Sequence, residues 1–516
     1  MIIFDPVMRR LYFFAATLMW AVCCSAKPDM DTDGPEICPV LSEYGMPIDF
    51  SRVGYMWGEK PLPDYQTQIV LTAPADGGDA TAMIQNALNS VGPSGAVLLK
   101  EGLYNISGVL KMDRDGVVLR GEGEGTVLKA LGTKQRSLVV LGKKTSRVSG
   151  RKTTIIDDFT PAGQMWVRVS NSSLFSVGDR VAICFRPSDK WIKALKMDVI
   201  AQNSTNSVKQ WKASEYVIRW ERKVMKVEND KVWLDNPVVI ELDGQYMQSA
   251  SLEHVQWDRI TGSGIENLKM ISDYDMRVTE KLTSGKYKGM EYCSDENHAW
   301  TAIEVRSAEH CWIRDVVTAY FGYSLVSLHA GSKNITVQDC VYTEPVSIIT
   351  GSRRYAYNLA GGELCLIQRC RAEHDRHGFV TGARVPGPNV FLDCDMVHAY
   401  SDIGPHHRWS TGVLYDNCTT DGALNVQDRA GYGTGHGWAG VSFVFWNCVA
   451  ESIICQNPWI NGQNWCIGCV GKKVAGRRYD DSLVRPDGTW ISKGIPVEPA
   501  SVYRTQFAAR KERISE

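Results

Sequence analysis

The sequence has almost no net charge. Its 516 residues carry 57 basic and 58 acidic side chains, which gives a formal net charge of -1. A protein without a broad field of one sign is not expected to attract nucleic acid or an anionic membrane through its surface as a whole. We therefore predict no nucleic-acid partner, and an anionic partner would have to be held by a local cluster of positive groups.

Long hydrophobic runs are also missing beyond the N-terminus, so no transmembrane segment is predicted. The run from Leu11 to Val22 follows Arg9 and Arg10 and is too short to span a bilayer as a stable helix. It is typical of an export signal over residues 1–26. Cleavage after Ala26 and lipid attachment to Cys23 or Cys24 both remain open. We expect export from a bacterial cell, to the periplasm, to the outside or as an outer-membrane lipoprotein.

Familiar cofactor signatures are absent as well. No His-x-x-x-His or comparable spacing of zinc ligands occurs. The glycine-rich segment Gly121–Gly125 lacks the following helix and the lysine of a phosphate-binding loop, so it is interpreted as a turn. No cofactor is predicted with certainty, and Ca²⁺ remains open for an acidic substrate.

Cysteine, by contrast, is abundant and regularly placed. Of the 15 cysteines, one set ends a series of short apolar strands at spacings of 30, 24, 24, 30 and 21 residues. A recurring residue at the same place in a recurring strand indicates a stacked ladder, and free cysteine behaves as a small buried hydrophobe. We interpret these residues as core thiols rather than disulfides: Cys340, Cys370, Cys394, Cys418, Cys448 and Cys469.

One strand per repeat of 20 to 30 residues predicts a β-solenoid. The fold class is all-β: a right-handed parallel β-helix with an N-terminal capping helix and an inserted β-rich module. Apolar residues at helical spacing after Asp79 or Thr81 predict the capping helix. Tryptophans of the module, such as Trp211, either pack or line a sugar cleft, and packing is favoured. The predicted boundaries are a signal over 1–26, an irregular extension over 27–65, the cap and first coils over 66–139, the module over 140–262, the main β-helix over 263–475 and a C-terminal tail over 476–516.

Histidine is concentrated in one part of the chain. Nine of the ten histidines fall between His298 and His436. His374 and His398 each lie four residues past a ladder cysteine, so we expect them to stack in adjacent coils. Burying this many polar groups without partners would be costly, and a structural flank does not need them. The histidine-rich stretch is therefore the predicted active-site flank.

The stretch from about 290 to 450 resembles secreted bacterial β-helix proteins of the pectate-lyase-like superfamily. The resemblance is carried by segments that include Asn297–Ile303, Ile349–Asn358, Arg376–Asn389, Gly404–Trp409 and Gly435–Gly440. It implies a parallel β-helix that acts on polysaccharides. It does not assign catalytic roles to single residues, because that superfamily contains both lyases and hydrolases.

The residue types favour a lyase acting on a uronic-acid polymer, either pectin-like or a glycosaminoglycan such as chondroitin or dermatan sulfate. Elimination requires a positive group at the uronate carboxylate, a base for the C5 proton and an acid for the leaving oxygen. Histidine and tyrosine supply the base and the acid, with Tyr432 as a further candidate acid. The candidate catalytic residues are His377, His406, His407, Arg408 and Tyr400. The candidate substrate-binding residues are Arg353, Arg354, His374, Arg376, Arg384, His398, Trp409, Arg429, His436 and Trp438.

Two alternatives remain. A glycoside hydrolase would need two carboxyl groups flanking the bond, with candidates among Glu344, Asp375, Asp402, Asp428, Asp295 and Glu296. A non-catalytic glycan-binding β-helix would need aromatic platforms and few titratable groups. The predicted partner is an acidic polysaccharide, and we expect a monomeric chain.

Overall fold

The computed structural model describes residues 44–202, 207–476 and 482–515. The predicted export signal and the candidate lipidation sites Cys23 and Cys24 lie outside the described residues. Within the described ranges, no helix combines the length and the apolar character that a membrane crossing requires.

The helices are short and few among the described residues. They are α1 (Thr81–Ser90), α2 (Asp189–Ala194) and α3 (Val502–Ser515). Strands before the module are β1 (Gln66–Leu71), β2 (Gly95–Leu99), β3 (Gly102–Ile106), β4 (Leu110–Met112), β5 (Val117–Ala130) and β6 (Ser137–Gly142). Strands of the module are β7 (Val148–Thr154), β8 (Phe159–Thr160), β9 (Trp166–Arg168), β10 (Arg180–Pro187), β11 (Ile218–Glu228), β12 (Lys231–Leu234), β13 (Leu242–Asp243) and β14 (Met247–Gln256).

The remaining strands follow the module. They are β15 (Ile260–Thr261), β16 (Gly264–Ser272), β17 (Thr279–Lys281), β18 (Glu291–Cys293), β19 (Thr301–Arg306), β20 (Ala308–Glu309), β21 (Trp312–Ala319), β22 (Ser324–Leu328), β23 (Thr336–Gln338), β24 (Val341–Thr343), β25 (Tyr357–Leu359), β26 (Leu366–Gln368), β27 (Arg371–Glu373), β28 (Phe379–Thr381), β29 (Asn389–Leu392), β30 (Asp395–Val397), β31 (Asp402–Pro405), β32 (Ser410–Asp416), β33 (Thr419–Val426), β34 (Gly440–Trp446), β35 (Val449–Cys455), β36 (Trp465–Ile467), β37 (Val470–Lys473) and β38 (Thr489–Ile491).

Every coil contributes strands to three parallel sheets that run along the molecule. Sheet 1 contains β1, β2, β5, β16, β21, β23, β26, β29, β32, β34, β36 and β38. Sheet 2 begins with β3 and continues through β24, β27 and β30 to β37. Sheet 3 contains β4, β6, β19, β22, β25, β28 and β31 and ends on β33 and β35. The predicted parallel β-helix is therefore confirmed.

The cysteine ladder lies at the corner between sheets 1 and 2. The residue before each ladder cysteine has a left-handed backbone, as at Asp339, Asp393 and Asn417 with φ of 55°, 51° and 54°. Asp and Asn tolerate this conformation better than most residues, and it turns the chain into the next sheet. The six ladder cysteines are free and at most 2% exposed, which confirms the predicted core thiols.

Both faces of sheet 1 are covered. Ile367 points into the β-helix interior, whereas its neighbour Leu366 packs outward against the module. The module itself is a six-stranded antiparallel sheet in the order β7-β14-β10-β11-β12-β9. Apolar residues of its strands and of the segment around Phe50 complete the outer layer. Sheet 1 is thereby sandwiched, as expected for strands that are apolar on both faces.

Buried ion pairs fix the module onto the coils. Glu221 of β11 accepts from Arg259 at 2.8 Å and from Lys333 at 2.9 Å. Arg222, which is fully buried, pairs with Glu363 of a coil at 2.7 Å. Because unpaired charges at such positions would be strongly unfavourable, these pairs hold the module in one orientation against the coils that carry the histidines.

Helix α1 packs at the beginning of the β-helix. Ile84 and Leu88 belong to the same apolar core as Leu110 of β4. The Asp79 carboxylate accepts from the backbone N–H of Thr81 at 3.0 Å. The helix is thus fixed at its first turn and covers apolar side chains of the first coils.

Candidate active site

Four imidazole rings meet beside strands β28 and β31 of sheet 3. His377 lies just before β28, His406 and His407 follow β31, and His436 comes from the next long loop. The ring centroids are 4.8 Å apart for His377 and His406, 4.7 Å for His406 and His436 and 5.1 Å for His407 and His436. These four residues are called the histidine cluster below.

A chain of hydrogen bonds crosses the histidine cluster. The Tyr355 hydroxyl lies 3.1 Å from Nε2 of His406, and Nδ1 of His406 lies 2.9 Å from Nδ1 of His407. Each imidazole can donate from one nitrogen and accept at the other, so this chain can run in either direction. When it runs from His407 towards Tyr355, Nε2 of His407 has the free lone pair that a general base needs.

His377 is oriented by a buried carboxylate. Its Nδ1 lies 3.0 Å from the carbonyl oxygen and 3.2 Å from a carboxylate oxygen of Asp402. The other carboxylate oxygen accepts from Asn425 at 3.0 Å and from the Arg429 guanidinium. Burial alone would raise the pKa of Asp402, but Arg429 and His377 outweigh it and hold that pKa below its ordinary value. Asp402 is therefore an anion that pairs with the Arg429 guanidinium and orients the His377 imidazole.

The histidine cluster is electrically neutral near neutral pH. Burial, followed by the charges of Arg408 and Arg429, lowers the pKa of His407 to about 3. Burial and the neighbouring His407 and Arg429 lower the pKa of His436 to about 3, and His406 is shifted in the same direction. The neutral imidazole is the form that can accept a proton, but a pKa of about 3 makes the free ring a weak base until an anionic substrate offsets the charges of Arg408 and Arg429. His407 is also only half-buried, so of these three rings it is the one open to a substrate.

Two arginines flank His407 on the side of the inserted module. The backbone N–H of Arg384 donates to the carbonyl of Arg408 at 2.8 Å. The Arg408 side chain donates to Oγ1 of Thr434 at 2.7 Å, and the Arg384 guanidinium lies over the ring of Tyr216 at 5.4 Å. Among the described ion pairs neither guanidinium has a carboxylate partner. Both therefore carry a positive charge that an oxyanion can offset, although Arg408 also donates to the carbonyls of Gly435 at 3.5 Å and Thr434 at 3.3 Å.

A second group of predicted residues lies elsewhere, at the corner between sheets 2 and 3. His374 and His398 stack at 4.6 Å with an interplanar angle of 12°, as the ladder register predicts. Both have left-handed backbones, with φ of 53° and 55°. The Tyr400 hydroxyl lies 3.5 Å from Nδ1 of His374. Tyr400 therefore contacts this corner rather than His406 or His407, and the predicted grouping of Tyr400 with them was wrong.

Predicted binding roles of two arginines are also corrected. Arg354 is 2% exposed, and its guanidinium donates to the carbonyls of Ser347 at 2.8 Å and His374 at 3.1 Å. Its donors are used in holding the coil, so it is a positioning residue. Arg353 forms a two-point ion pair with Glu296 at 2.6 and 2.8 Å. Arg376 is half-buried beside Tyr355 and keeps its predicted binding role as a proposal.

Trp409 and Trp438 do not form a sugar platform. Both indoles are 0% exposed and pack between sheet 1 and the module. Trp409 contacts Trp191 edge-on at 4.8 Å between ring centroids. The predicted substrate-binding role of these two residues was wrong because the module covers the outer face of sheet 1, which the sequence does not reveal.

Tyr355 and the residues supplied by the module are not among the site residues that the sequence predicts. Tyr355 belongs to the Arg353–Asn358 segment, but the arginines beside it seemed the better candidates. Lys209 and Tyr216 come from the module, nearly 200 residues before Arg408 along the chain. Only their tertiary position shows that they adjoin the histidine cluster.

Three of the candidate carboxylates for a hydrolase are already engaged. Asp375 is buried and accepts from the backbone N–H of Ala356 at 2.7 Å, and burial raises its pKa to about 7. Asp428 is 0% exposed and paired with Arg485 at 2.9 Å. Asp402 is paired as described above. In the described part of the chain no group of three or more His, Cys, Asp or Glu side chains is arranged to hold a metal ion.

Comparisons with known proteins identify similar folds only. No protein-family profile matches the chain, and no curated protein is similar to it. Among solved structures, the tailspike protein gp49 from Pseudomonas phage LKA1 is 13% identical, with a TM-score of 0.45 over 76% of this chain and 56% of that one. An alginate lyase from Paenibacillus is 9% identical, with a TM-score of 0.41 over 84% and 99% of the two chains.

A polygalacturonase from Erwinia carotovora is 12% identical, with a TM-score of 0.40 over 85% and 98% of the two chains. This chain spans little more than half of the phage LKA1 tailspike and 62% of another tailspike, from Acinetobacter baumannii bacteriophage AP22. At these identities and scores the likenesses carry no argument about activity. The three parallel sheets of the chain itself establish that it is a parallel β-helix.

Proposed function

We propose that this protein is a polysaccharide lyase that cleaves a uronic-acid-containing polymer, pectin-like or a glycosaminoglycan, by β-elimination. The observation that carries the proposal is the position of His407. Its half-buried, neutral imidazole ends the hydrogen-bond chain from Tyr355 and stands between Arg384 and Arg408, which have no carboxylate partner among the described ion pairs.

The first requirement of the reaction is neutralisation of the uronate carboxylate, because its charge makes the C5 proton weakly acidic. Arg408 is assigned to this carboxylate. A guanidinium binds a carboxylate through two parallel hydrogen bonds, and Arg408 directly follows the proposed base along the chain. Its side chain is held by Thr434, so the donor is oriented before the substrate arrives.

The second requirement is a base at C5. His407 takes the C5 proton on Nε2, and the electrons of that C–H bond form the C4=C5 double bond as the C4–O bond breaks. The resulting imidazolium donates from Nδ1 to His406, whose Nε2 donates to the Tyr355 oxygen. His377 and His406 are buried and are assigned a positioning role.

The third requirement is a proton for the leaving oxygen at C4. Tyr432 is assigned to this step. It is 38% exposed, and its ring centroid lies 5.8 Å from that of His436. Its phenol can donate to an oxyanion that forms next to the histidine cluster. The products are one chain with a new reducing end and one with an unsaturated uronate.

Ultraviolet absorbance during incubation with a panel of uronic-acid polysaccharides tests the proposal. Elimination leaves a C4=C5 double bond conjugated to the carboxylate, which absorbs, and hydrolysis does not. We expect rising absorbance on at least one acidic polymer, with a parallel rise in reducing ends. New reducing ends without absorbance would replace the lyase with a hydrolase. If no polymer of the panel gave either absorbance or new reducing ends, a non-catalytic glycan-binding protein would replace the lyase.

A further inference from the structure

A cavity of about 370 Å³ adjoins the histidine cluster between the inserted module and the β-helix. The module and the coils both line it, and they share Arg408 with the proposed active site. The lining residues are Lys209, Gln210, Trp211, Glu215, Tyr216, Arg384 and Arg408.

The charge of this cavity is positive. Lys209 is neutralised by Glu215, with Nζ and Oε1 2.7 Å apart. That hydrogen bond is also the largest influence that lowers the pKa of Glu215. Arg384 and Arg408 then remain as two cations without a carboxylate partner among the described residues. Two like charges that face one cavity repel each other, and an anion between them removes that repulsion.

The walls of the cavity are rigid. Trp211 and Tyr216 stack at 4.1 Å with an interplanar angle of 21°, and the indole N–H of Trp211 donates to the carbonyl of Gly435 at 3.3 Å. The Arg384 guanidinium rests on the ring of Tyr216. A guanidinium fixed on an aromatic face presents its edge in a defined direction, which suits recognition of an oxyanion.

We propose that this cavity is a subsite for a second oxyanion of the polymer, either a sulfate ester or the carboxylate of a neighbouring sugar. The inference rests on the proposed function, since the ligand is the same acidic chain whose uronate lies at His407. Arg384 binds the second anion, and Lys209 offsets the Glu215 carboxylate that would otherwise repel it, while Arg408 stays with the uronate at the scissile bond. The inserted module would thus select polymers with two anionic groups close together.

Equilibrium titration calorimetry on the full chain tests the subsite. The background is His407→Asn, so that the probes are not consumed. The first arm compares a hexasaccharide of chondroitin sulfate with the unsulfated chondroitin hexasaccharide. The second arm compares an oligogalacturonate with its methyl ester. The variants are Lys209→Gln and Arg384→Gln. The matched control is Lys226→Gln, because Lys226 forms a similar exposed pair with Glu228 at 2.9 Å elsewhere on the module.

We expect the parent chain to bind the more highly charged probe more tightly in at least one arm. Each pocket variant should reduce that preference on the order of tenfold, as loss of a charge-assisted hydrogen bond does, and Lys226→Gln should leave it unchanged. The arm that responds identifies the sulfate or the carboxylate. The subsite would be overturned if the His407→Asn protein bound both probes of each pair equally. It would also be overturned if Lys209→Gln and Arg384→Gln left the preference for the more charged probe unchanged in both arms.

The absorbance assay on the native chain separates this result from the proposed reaction. Absorbance with an unaltered preference would keep the lyase and remove the subsite. A preference that depends on Lys209 and Arg384, without absorbance on any polymer, would keep the anion subsite and remove the lyase.

Discussion

Nδ1 of His406 and Nδ1 of His407 face each other at 2.9 Å, although the two residues are adjacent in the sequence. One of these nitrogens must donate and the other accept, so a single proton is shared between two rings. Protonation of either ring therefore changes the hydrogen bonding of the other and, through Nε2 of His406, of Tyr355. The two imidazoles and the Tyr355 hydroxyl are therefore coupled through one hydrogen-bond chain.

Replacing the proposed base should abolish most of the elimination. His407→Asn keeps a polar side chain of similar size but removes the accepting imidazole. We expect the rate of absorbance increase to fall by about 10²–10⁴-fold, the usual contribution of a general base. His329→Asn is the matched control, because His329 is 43% exposed and pairs with Glu304 in a different coil. An equal loss in both variants would show that His407 is not the base.

Removing the Tyr355 hydroxyl should slow the chemical step without weakening substrate binding. Tyr355→Phe keeps the ring, which packs against His377 and His406 at 5.1 and 5.3 Å. We expect kcat to fall by about tenfold, the value of a hydrogen bond of roughly 1.5 kcal/mol, with KM nearly unchanged.

The control for this variant is Tyr323→Phe, whose hydroxyl accepts from Asn358 at 3.0 Å and lies outside the hydrogen-bond chain. A rise in KM at constant kcat for Tyr355→Phe would assign the hydroxyl to binding instead. A steady-state comparison over a range of polymer concentrations distinguishes the two.

Neutralising Asp402 should lower the free energy of unfolding more than neutralising a half-exposed carboxylate does. Asp402→Asn leaves Arg429 buried without its counter-charge and removes the carboxylate oxygen beside Nδ1 of His377. Breaking a buried pair by removing one partner costs about 3–5 kcal/mol of unfolding free energy. Asp395→Asn, which breaks a half-exposed pair with Arg371 at 2.9 Å, should cost less than about 1 kcal/mol. Urea unfolding of both variants measures the difference, and similar values would contradict a buried ion pair at Asp402.

The ladder thiols should be unreactive until the protein unfolds. Cys394 is 1% exposed, and burial raises the pKa of its thiol, whereas Cys293 is partly exposed. Cys293→Ala should therefore lower the number of rapidly labelled thiols by one, and Cys394→Ala should leave that number unchanged. After denaturation both variants should have one thiol fewer than the parent. Rapid labelling that is lost in Cys394→Ala would contradict the buried ladder.

This ladder also shows why so much of the fold could be predicted. Each ladder coil repeats the same local arrangement of apolar strand, left-handed corner residue and cysteine. The length of a coil can therefore be measured from the spacing of the cysteines in the sequence. The stacking of His374 on His398 follows from the same register. Contacts within or between neighbouring coils are therefore visible as spacing.

Contacts between the module and the coils have no such signature. The sequence predicts that Trp409 binds substrate, because Trp409 follows the polar segment His406–Arg408. In the structure Trp409 lies beneath the module. Tyr216 and Lys209 adjoin Arg384 only because the buried pairs of Glu221 and Arg222 fix the module in one orientation. The position of the module is a property of the tertiary structure, so the site was predicted in part only.

The lowered pKa of His436 makes a prediction about stability. In the unfolded chain a histidine has its ordinary pKa of 6.5, whereas burial beside His407 and Arg429 lowers the pKa of His436 to about 3. Between these values the unfolded chain binds more protons than the folded one, so the unfolding free energy falls as the pH falls from about 6.5 towards 3. A single such group contributes up to about 1.4 kcal/mol per pH unit. Above pH 6.5 its contribution is complete and constant.

His436→Gln should flatten this dependence, because the variant has one fewer group that is kept neutral by folding. Urea unfolding of the parent and the variant at pH 7 and pH 4.5 isolates the effect, since the carboxylates titrate identically in both proteins and cancel in the comparison. His398→Gln removes an exposed imidazole and serves as the control. If His436→Gln and the parent lose the same free energy between these two pH values, then His436 takes up its proton in the folded state. The positive surroundings assigned to the histidine cluster would then be wrong, and with them the reason for His407 to act as a neutral base.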